Sequence, residues 1–367
     1  MRTILITSVG SLVGHNILES LASRRQEWRV VGVNSLALAA NNFRCDAAYL
    51  VPETGQEEAY LSRVRDILRI EHPAVVLAGR DLDLAPLSLL KAEPEFASTL
   101  FLSPPAAAVQ AVNDKYRTWL FARDHGLPFA ATAFDRAELN ELIAQKGFPL
   151  ICKRRLGNAS RGVFIVRNAA EVDAALADGT FVFQEFLCPP ADLHAILPDF
   201  RFGVPLFFGI VEEDHYSSMG LVGAEGELFA FFASLHVLEA GKDISVQPIH
   251  EPALERLTAD YARELSSLGY IGPLNFNCKK IGTDRFVPYE LNGRFGGATA
   301  ARASLGHPDV EYALAYFLDG WRPETGRKST PDQTAPRRIV QRLPNTYLLD
   351  INETERLAAT GVWRRNF

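Results

Sequence analysis

The sequence predicts a mixed α/β and α+β fold, with a parallel α/β domain first and a region of antiparallel strands after it. Apolar strand patterns alternate with amphipathic helix patterns over roughly the first 110 residues, and this alternation is typical of a parallel sheet with right-handed crossovers. From about residue 200 onward strand patterns dominate. Such a run of strands indicates hairpins and an antiparallel sheet.

Length and composition fit a globular protein of two or three domains. The chain has 367 residues, of which 47% are hydrophobic and 22% are charged, with a formal net charge of −6. A negative balance argues against the basic face that nucleic-acid binding needs. The four cysteines are scattered without a CxxC pair, which favours reduced thiols and a cytoplasmic protein over a zinc site or disulfides. The longest strongly apolar stretch, 202–211, is shorter than the ~20 residues of a membrane span, so we expect no membrane association.

The first domain, residues 1–110, is predicted to alternate three strands with two helices. The pattern places strands at 3–9, 28–35 and 73–79, and helices at 15–25 and 57–72. Pro104 and Pro105 then end this domain, because a proline pair interrupts both helix and strand.

Two glycines in the first strand–helix connection raise the question of dinucleotide binding. Gly10 and Gly14 are spaced G-x-x-x-G, whereas the dinucleotide fingerprint needs G-x-G-x-x-G and a later acid. Asn34 stands in the place of that acid. We therefore favour a structural turn, and an NAD-dependent oxidoreductase is the weakest functional alternative. A further alternative is that the helix N-terminus holds a carboxylate substrate, with the polar side chains of Ser8, Ser11, His15 and Asn16 nearby.

The middle of the chain reads as a small α+β unit. We expect a helical stretch over 106–126 closed by Gly126, two strands around a loop from Gly157 to Gly162, a helix at 168–178 and a strand at 180–187. Lys153 ends the first of these strands, and Lys115 lies in the preceding helical stretch. Either lysine could simply reach solvent. Lys153 could also bind phosphate oxygens, because the flexible loop 157–162 follows it closely in the sequence.

The strand at 180–187 ends in the polar pair Gln184 and Glu185. The strand is either an ordinary edge strand, or its end is a hinge whose backbone groups bind adenine.

A hairpin near the C-terminal third carries the pattern of a metal site. We expect a helix at 252–269 and then a hairpin over 272–292, turned at Gly282–Asp284. Glu290 and Asn292 lie two apart and share one face of a strand, and oxygen donors in that arrangement suit Mg²⁺, or Mn²⁺ in its place. Asn277 should lie within a residue or two of Glu290, and Arg294 follows. A solvated hairpin face is the alternative.

These motifs occur in the order typical of one family. The chain resembles ATP-grasp enzymes, nearest to the carbamoyl-phosphate-synthetase-like and biotin-carboxylase-like branch, over about residues 1–320. The resemblance rests on "NDK", "FPLICK" with "GNASRGV", the "QEFL" hinge and "GPLNFN…YELNGRFGG". It implies a Rossmann-like pre-ATP-grasp domain, followed by an ATP-grasp domain at 111–330. That domain would divide into a lid at about 130–187 and a larger antiparallel subdomain at about 200–325. Residues 331–367 have no assigned role.

The resemblance also implies roles for individual residues. Lys153 and Lys115 would contact the phosphates of ATP, and Arg294 and Lys153 would stabilise the transferring phosphoryl group. Glu290, Asn292 and Asn277 would hold Mg²⁺. The remaining nucleotide contacts would come from the loop and the hinge, namely Gly157, Ser160, Gly162, Gln184, Glu185, Phe186 and Leu187.

Two features depart from the family pattern. Asn277 stands where relatives usually carry Glu or Gln, which weakens one metal ligand. An extra segment, 188–214, follows the hinge, and His215 stands where a ribose-binding glutamate is expected. Three acids precede His215, namely Glu212, Glu213 and Asp214; which of them meets the ribose stays open, and Asp214 is the one assigned to the site. The segment 188–214 is either a substrate lid or packing.

The resemblance implies an ATP-dependent carboxylate–amine ligase that forms an acyl phosphate and releases ADP and phosphate. Its partners would be a small carboxylate and an amine, with no nucleic acid and no membrane, and with a homodimer as one assembly. The alternative from another class is a regulatory nucleotide-binding protein without ligase turnover.

Overall fold

The computed structural model describes residues 1–157, 162–189, 211–239, 241–322, 338–343 and 346–365. The first domain is built on five parallel strands. Their bounds are β1 (Arg2–Ile6), β2 (Trp28–Asn34), β3 (Ala47–Leu50), β4 (Val75–Leu77) and β5 (Leu100–Leu102). The helices are α1 (Leu12–Ser20), α2 (Glu57–Glu71), α3 (Leu84–Lys91) and α4 (Ala106–Asn113).

Helix α1 begins three residues before its predicted start and ends five residues before its predicted end. The side chain of Ser11 accepts a hydrogen bond from the backbone N–H of Gly14 at 3.0 Å, so Ser11 is the N-cap. Gly14 is required for packing, because a Cβ there would lie 2.5 Å from the carbonyl oxygen of Val9. The two glycines of the opening motif thus serve a tight strand–helix turn.

The predicted helical stretch over 106–126 is two helices. Asp114 is extended and separates α4 from α5 (Lys115–Asp124), and its side chain accepts from the N–H groups of Tyr116 and Arg117. Asp114 also pairs with Arg155 at 2.7 Å. The prediction of one helix is wrong because this aspartate caps a new helix and is fixed by a distant partner.

A four-stranded antiparallel sheet occupies the region that the sequence predicts as a lid, and we name it the lid unit. Its elements are β6 (Thr132–Ala133), α6 (Arg136–Lys146), β7 (Leu150–Arg154), β8 (Val163–Val166), α7 (Ala169–Asp178) and β9 (Phe181–Glu185). The strand order is β6-β9-β7-β8. Residues 158–161 and 190–210 lie outside the described residues, so the expectations for Ser160 and for most of 188–214 have no structural outcome.

The larger unit is a six-stranded antiparallel sheet. Its elements are β10 (Val211–Val222), β11 (Leu228–Glu239), β12 (Lys242–Ile249), α8 (Pro252–Ser266), β13 (Gly272–Ile281), β14 (Arg285–Asn292), α9 (Thr299–Ser304), α10 (Asp309–Asp319) and β15 (Val340–Gln341). The order is β14-β13-β10-β11-β12-β15. The predicted β13–β14 hairpin is confirmed, with Asn277 opposite Glu290 and Asn275 opposite Asn292.

The chain then returns to the first domain. Helix α11 (Ile351–Thr360) leads into β16 (Val362–Arg364), which pairs antiparallel with β3 and gives the order β16-β3-β2-β1-β4-β5. One hydrophobic cluster also joins the domains, since Ile4 and Val13 of the first domain share it with Met219, Phe229 and Phe295. The predicted mixed fold, with a parallel sheet first and antiparallel sheets after it, is confirmed.

Candidate active site

A cleft of about 800 Å³ lies where the first domain, the lid unit and the large antiparallel sheet meet. It is lined from the first domain by the loops after β1 and β4, from the lid by β7 and the end of β9, and from the large sheet by β10 to β14. Most of the predicted site residues line this cleft.

Two lysines lie together on one wall of the cleft. Lys153 is 5% exposed, and its Nζ donates to Gln184 Oε1 at 2.8 Å and to the carbonyl of Tyr289 at 2.9 Å. Burial lowers the pKa of Lys153 to about 7, with a smaller lowering effect from Lys115 and an opposing effect from Glu290. The charged form of Lys153 is therefore held at a cost, as in sites where a ligand supplies negative charge.

Lys115 connects the first turn of α5 to the polar loop after β7. Its Nζ donates to the carbonyl of Gly157 at 2.9 Å and lies 3.7 Å from Glu290 Oε1. The alternative that these lysines merely reach solvent does not fit, because both are buried.

Glu290 is the acid of the hairpin wall. Burial would raise its pKa, but Lys115, Lys153 and Arg294 outweigh burial and hold the pKa of Glu290 below its ordinary value. The group is therefore an ionised carboxylate among cations. Asn277 donates its Nδ2 to Glu290 Oε2 at 3.1 Å, so its amide must turn before its oxygen can act as a ligand.

Arg294 connects the hairpin to the first domain. Its Nη2 donates to Asn292 Oδ1 at 3.1 Å and to Asp81 Oδ2 at 2.6 Å. Asn292 and Glu290 lie two residues apart on β14 and both line the cleft, and a carboxylate with amide oxygens is a donor set that fits a hard divalent cation.

The hinge differs in detail from the expectation. The Gln184 side chain is used internally, because it accepts from Lys153 and donates to Thr132 Oγ1 at 2.9 Å. The N–H of Glu185 donates to the carbonyl of Ala131 at 2.9 Å, so this backbone donor is already used within the protein. Phe186 and Leu187 line the cleft as expected.

Two predicted residues among those that the structure describes do not line the cleft. Asp214 is exposed on β10, and its neighbour His215 lines the cleft instead; the strand alternation turns the aspartate away. Gly162 follows the loop at a φ of +69° and lies against the Arg154 side chain rather than in the cleft.

Sequence reasoning missed a polar row on the floor of the cleft. His236 is opposite His215 in the β10–β11 pair, and the His236 ring lies 2.7 Å from both Ser234 Oγ and Asp243 Oδ1. His215 lies 2.6 Å from the Tyr289 hydroxyl. The two-residue spacing of Ser234 and His236 was the available signal, but the cross-strand register was not visible in the sequence.

Sequence reasoning also missed charged residues of the first domain. Glu53, Arg80 and Asp81 line the cleft. Arg80 and Asp81 follow directly after a buried parallel strand and its glycine, and the carboxyl edge of such a sheet is where ligands bind. That position after "VVLAG" was a usable signal.

The chain shares its fold with solved structures of N5-carboxyaminoimidazole ribonucleotide synthetase and of biotin carboxylase, which are ATP-grasp enzymes. It is similar to N5-carboxyaminoimidazole ribonucleotide synthetase from Thermus thermophilus, with a TM-score of 0.62 and 18% identity, covering 88% of this chain and 80% of that one. It is also similar to the biotin carboxylase domain of Hydrogenobacter thermophilus 2-oxoglutarate carboxylase, a dimer in complex with MgADP, ADP and bicarbonate. There the TM-score is 0.62 and the identity 13%, covering 87% of this chain and 70% of that one.

A curated relative matches a shorter region. Pyruvate carboxylase from Komagataella pastoris is 23% identical over 186 residues, which is 44% of this chain and 15% of that protein. The match thus spans only a small part of that relative. No family model matches the chain. Among the described residues, none of the helices has the length and apolarity to span a bilayer.

Proposed function

We propose that this protein is an ATP-dependent carboxylate–amine ligase that uses Mg²⁺ and forms an acyl phosphate. The observation that carries the proposal is the convergence of Lys115, Lys153 and Arg294 on one ionised carboxylate, Glu290, in the cleft. Because Arg294 is also paired with Asp81, the positive charge that a triphosphate would meet comes mainly from Lys115 and Lys153, which share Glu290. The similar structure that holds MgADP supports this choice of nucleotide and metal.

The site residues would act by position and charge. Lys153 and Lys115 would hold the phosphates, and Phe186 and Leu187 would border the base. Glu290 and Asn292 would hold Mg²⁺, which supplies charge neutralisation between phosphate oxygens. Catalysis of phosphoryl transfer depends mainly on such positioning and electrostatics.

The reaction would proceed in two transfers. A carboxylate oxygen attacks the γ-phosphorus, and the bond to ADP breaks. The amine nitrogen then attacks the acyl carbon, so that the C–N bond forms, the C–O bond to phosphate breaks, and protons leave the nitrogen. Arg294 donates hydrogen bonds to Asn292, a proposed metal ligand, and to Asp81 of the first domain, and it would stabilise charge on the transferring group.

An ADP-release assay over a panel of carboxylates, each with and without amines, tests the proposal when combined with mass spectrometry of the products. We expect ADP and phosphate to form only with a particular carboxylate, and an amide to appear with an amine. Tight MgATP binding without product under every condition would instead indicate the regulatory alternative. The oxidoreductase alternative has no support in the first domain, where the side chain of Asn34 bonds to Leu36 and Asn42.

A further inference from the structure

A second charged region of the cleft lies apart from the lysine pair, where the loops after β1 and β4 meet Arg294. We name it the domain corner and define it by Glu53, Arg80, Asp81 and Arg294, all of which line the cleft. Ser11, the N-cap of α1, donates to the carbonyl of Gly79 at 2.8 Å. The first turn of α1 therefore lies beside Arg80, and its residues also line the cleft.

Arg80 is a guanidinium without hydrogen bonds in the part of the chain that the structure describes. Its Nε is buried and unpartnered. Its ion pairs, Nη1 to Glu53 Oε2 and Nη2 to Asp83 Oδ1, are both 3.6 Å, which is beyond hydrogen-bonding distance. A partly buried guanidinium with unused donors matches a ligand carboxylate, which can accept two parallel N–H bonds.

Asp81, in contrast to Arg80, needs a hydrogen-bond donor. It is 6% exposed, its Oδ2 accepts from Arg294, and its Oδ1 is buried without a partner among the described residues. An unpaired buried carboxylate oxygen costs free energy that a donor recovers. A ligand ammonium is a donor of the right charge, and beside Asp81 it would also lie next to Arg294.

The balance of charge distinguishes the domain corner from the lysine wall, which is the wall of the cleft that carries Lys115 and Lys153. The corner has two guanidinium groups and two carboxylates, and Asp83 lies directly behind Arg80. A dianionic phosphate would meet these carboxylates, whereas a zwitterion matches both signs. The lysine wall, by contrast, has only Glu290 against its cations.

We propose that the domain corner binds a zwitterionic α-amino acid, with its carboxylate on Arg80 and the first turn of α1 and its ammonium on Asp81. That the amino acid is the amine substrate rests on the proposed function, whereas its binding at the domain corner does not. In that role the nitrogen, after losing a proton, attacks the acyl carbon beside Arg294. The C–N bond forms, a second proton leaves the nitrogen, and phosphate departs with the electron pair of the broken C–O bond.

Thermal melting of the full chain with each standard amino acid at millimolar concentration tests the proposal. We expect at least one amino acid to raise the melting temperature, and neither its decarboxylated amine nor its α-hydroxy acid to do so. Arg80→Gln should weaken this binding at least tenfold, by roughly the value of a charged bidentate contact. Arg80 is paired with the buried Asp83, so the variant should fold with a lower melting temperature, and MgATP binding measured in parallel checks that it is folded. Arg69→Gln, which removes a surface arginine of the same domain, is the matched control.

Three results would overturn the proposal: no amino acid binds, binding persists in Arg80→Gln, or inorganic phosphate binds at Arg80 in place of amino acids. Failure of the proposed function would look different from these results. If only the proposed function were wrong, amino acids would still bind through Arg80, but the wild type would form no ADP with any carboxylate. Lys153→Met should lose MgATP binding and keep the amino-acid shift, which separates the two halves of the cleft.

Discussion

At the scale of single residues, Lys153 is the group whose environment most affects its chemistry. Its Nζ is enclosed by Gln184 and the carbonyl of Tyr289, and burial lowers its pKa to about 7. A lysine with a folded pKa below its unfolded value destabilises the fold where it is charged. That cost is full below pH 7 and disappears as the pH rises toward about 10.5.

This shift predicts proton uptake when ATP binds. At pH 8 the free lysine is mostly neutral, and bound phosphates raise its pKa, so binding should take up between roughly half a proton and one proton. Near pH 6 the uptake through Lys153 should approach zero. Calorimetry in buffers of different ionisation enthalpy measures the number of protons taken up when ATP binds.

Lys153→Met should lose this uptake and weaken MgATP binding, because methionine keeps the packing of the stem and removes the charge. Lys280→Met, outside the cleft, is the control. An unchanged affinity with a collapsed melting temperature would show that Lys153 is structural.

Glu290→Gln should abolish most of the effect of Mg²⁺ on the protein. The substitution removes the formal negative charge of the proposed metal ligands while keeping their shape. Titration calorimetry should show ATP binding that persists without Mg²⁺ and a Mg²⁺-dependent gain in affinity that falls at least about tenfold. Glu251→Gln, which breaks a pair with Lys280 outside the cleft, is the matched control. A wild-type response to Mg²⁺ would remove Glu290 from the metal site.

At the scale of elements, the β13–β14 hairpin determines which side chains share the proposed metal. Asn277 is directly opposite Glu290, and its amide donates to that acid. The register shows that one substitution in β13 can change the charge of the site without moving β14.

Asn277→Glu should place a second carboxylate opposite Glu290. Without metal, the two like charges should lower the melting temperature. With Mg²⁺, the added charge should raise metal affinity about tenfold. A Mg²⁺ titration of the melting temperature measures both effects, and Asn277→Gln serves as the neutral control. The idea fails if the midpoint of the titration equals that of the wild type.

At the scale of the whole molecule, the two ends of the chain stabilise one sheet. Trp363 of β16 packs edge-on to Phe43 with ring centroids 5.4 Å apart and shares a cluster with Leu357. The first domain in turn shares a hydrophobic cluster with the large antiparallel unit. Damage at the C-terminal strand should therefore affect both domains.

Trp363→Ala should destabilise the protein by about 3 kcal/mol through the lost apolar contacts. Because the domains share a core, calorimetry should show one transition moved to lower temperature. Arg356→Ala, on the exposed face of α11, should leave the transition in place. A separate early transition for the first domain would contradict the shared core.

Local patterns in the sequence determined much of the fold and part of the site. Strand and helix periodicity predicted the parallel first sheet, the lid strands and the β13–β14 hairpin, because these depend on near neighbours along the chain. The two-residue spacing of Glu290 and Asn292 placed both on one face. Lys153 was predicted from its position at a strand end, and Lys115 from the "NDK" motif within the predicted helical stretch.

Contacts between distant segments decided the rest. The break at Asp114 depends on Arg155, and β16 is a strand because β3 offers an open edge. The pairing of His236 with Asp243 and of Arg294 with Asp81 joins residues from different strands or domains. No local pattern specifies such pairs, since their geometry follows from strand register and domain packing, and these are set by the buried surface of the whole chain.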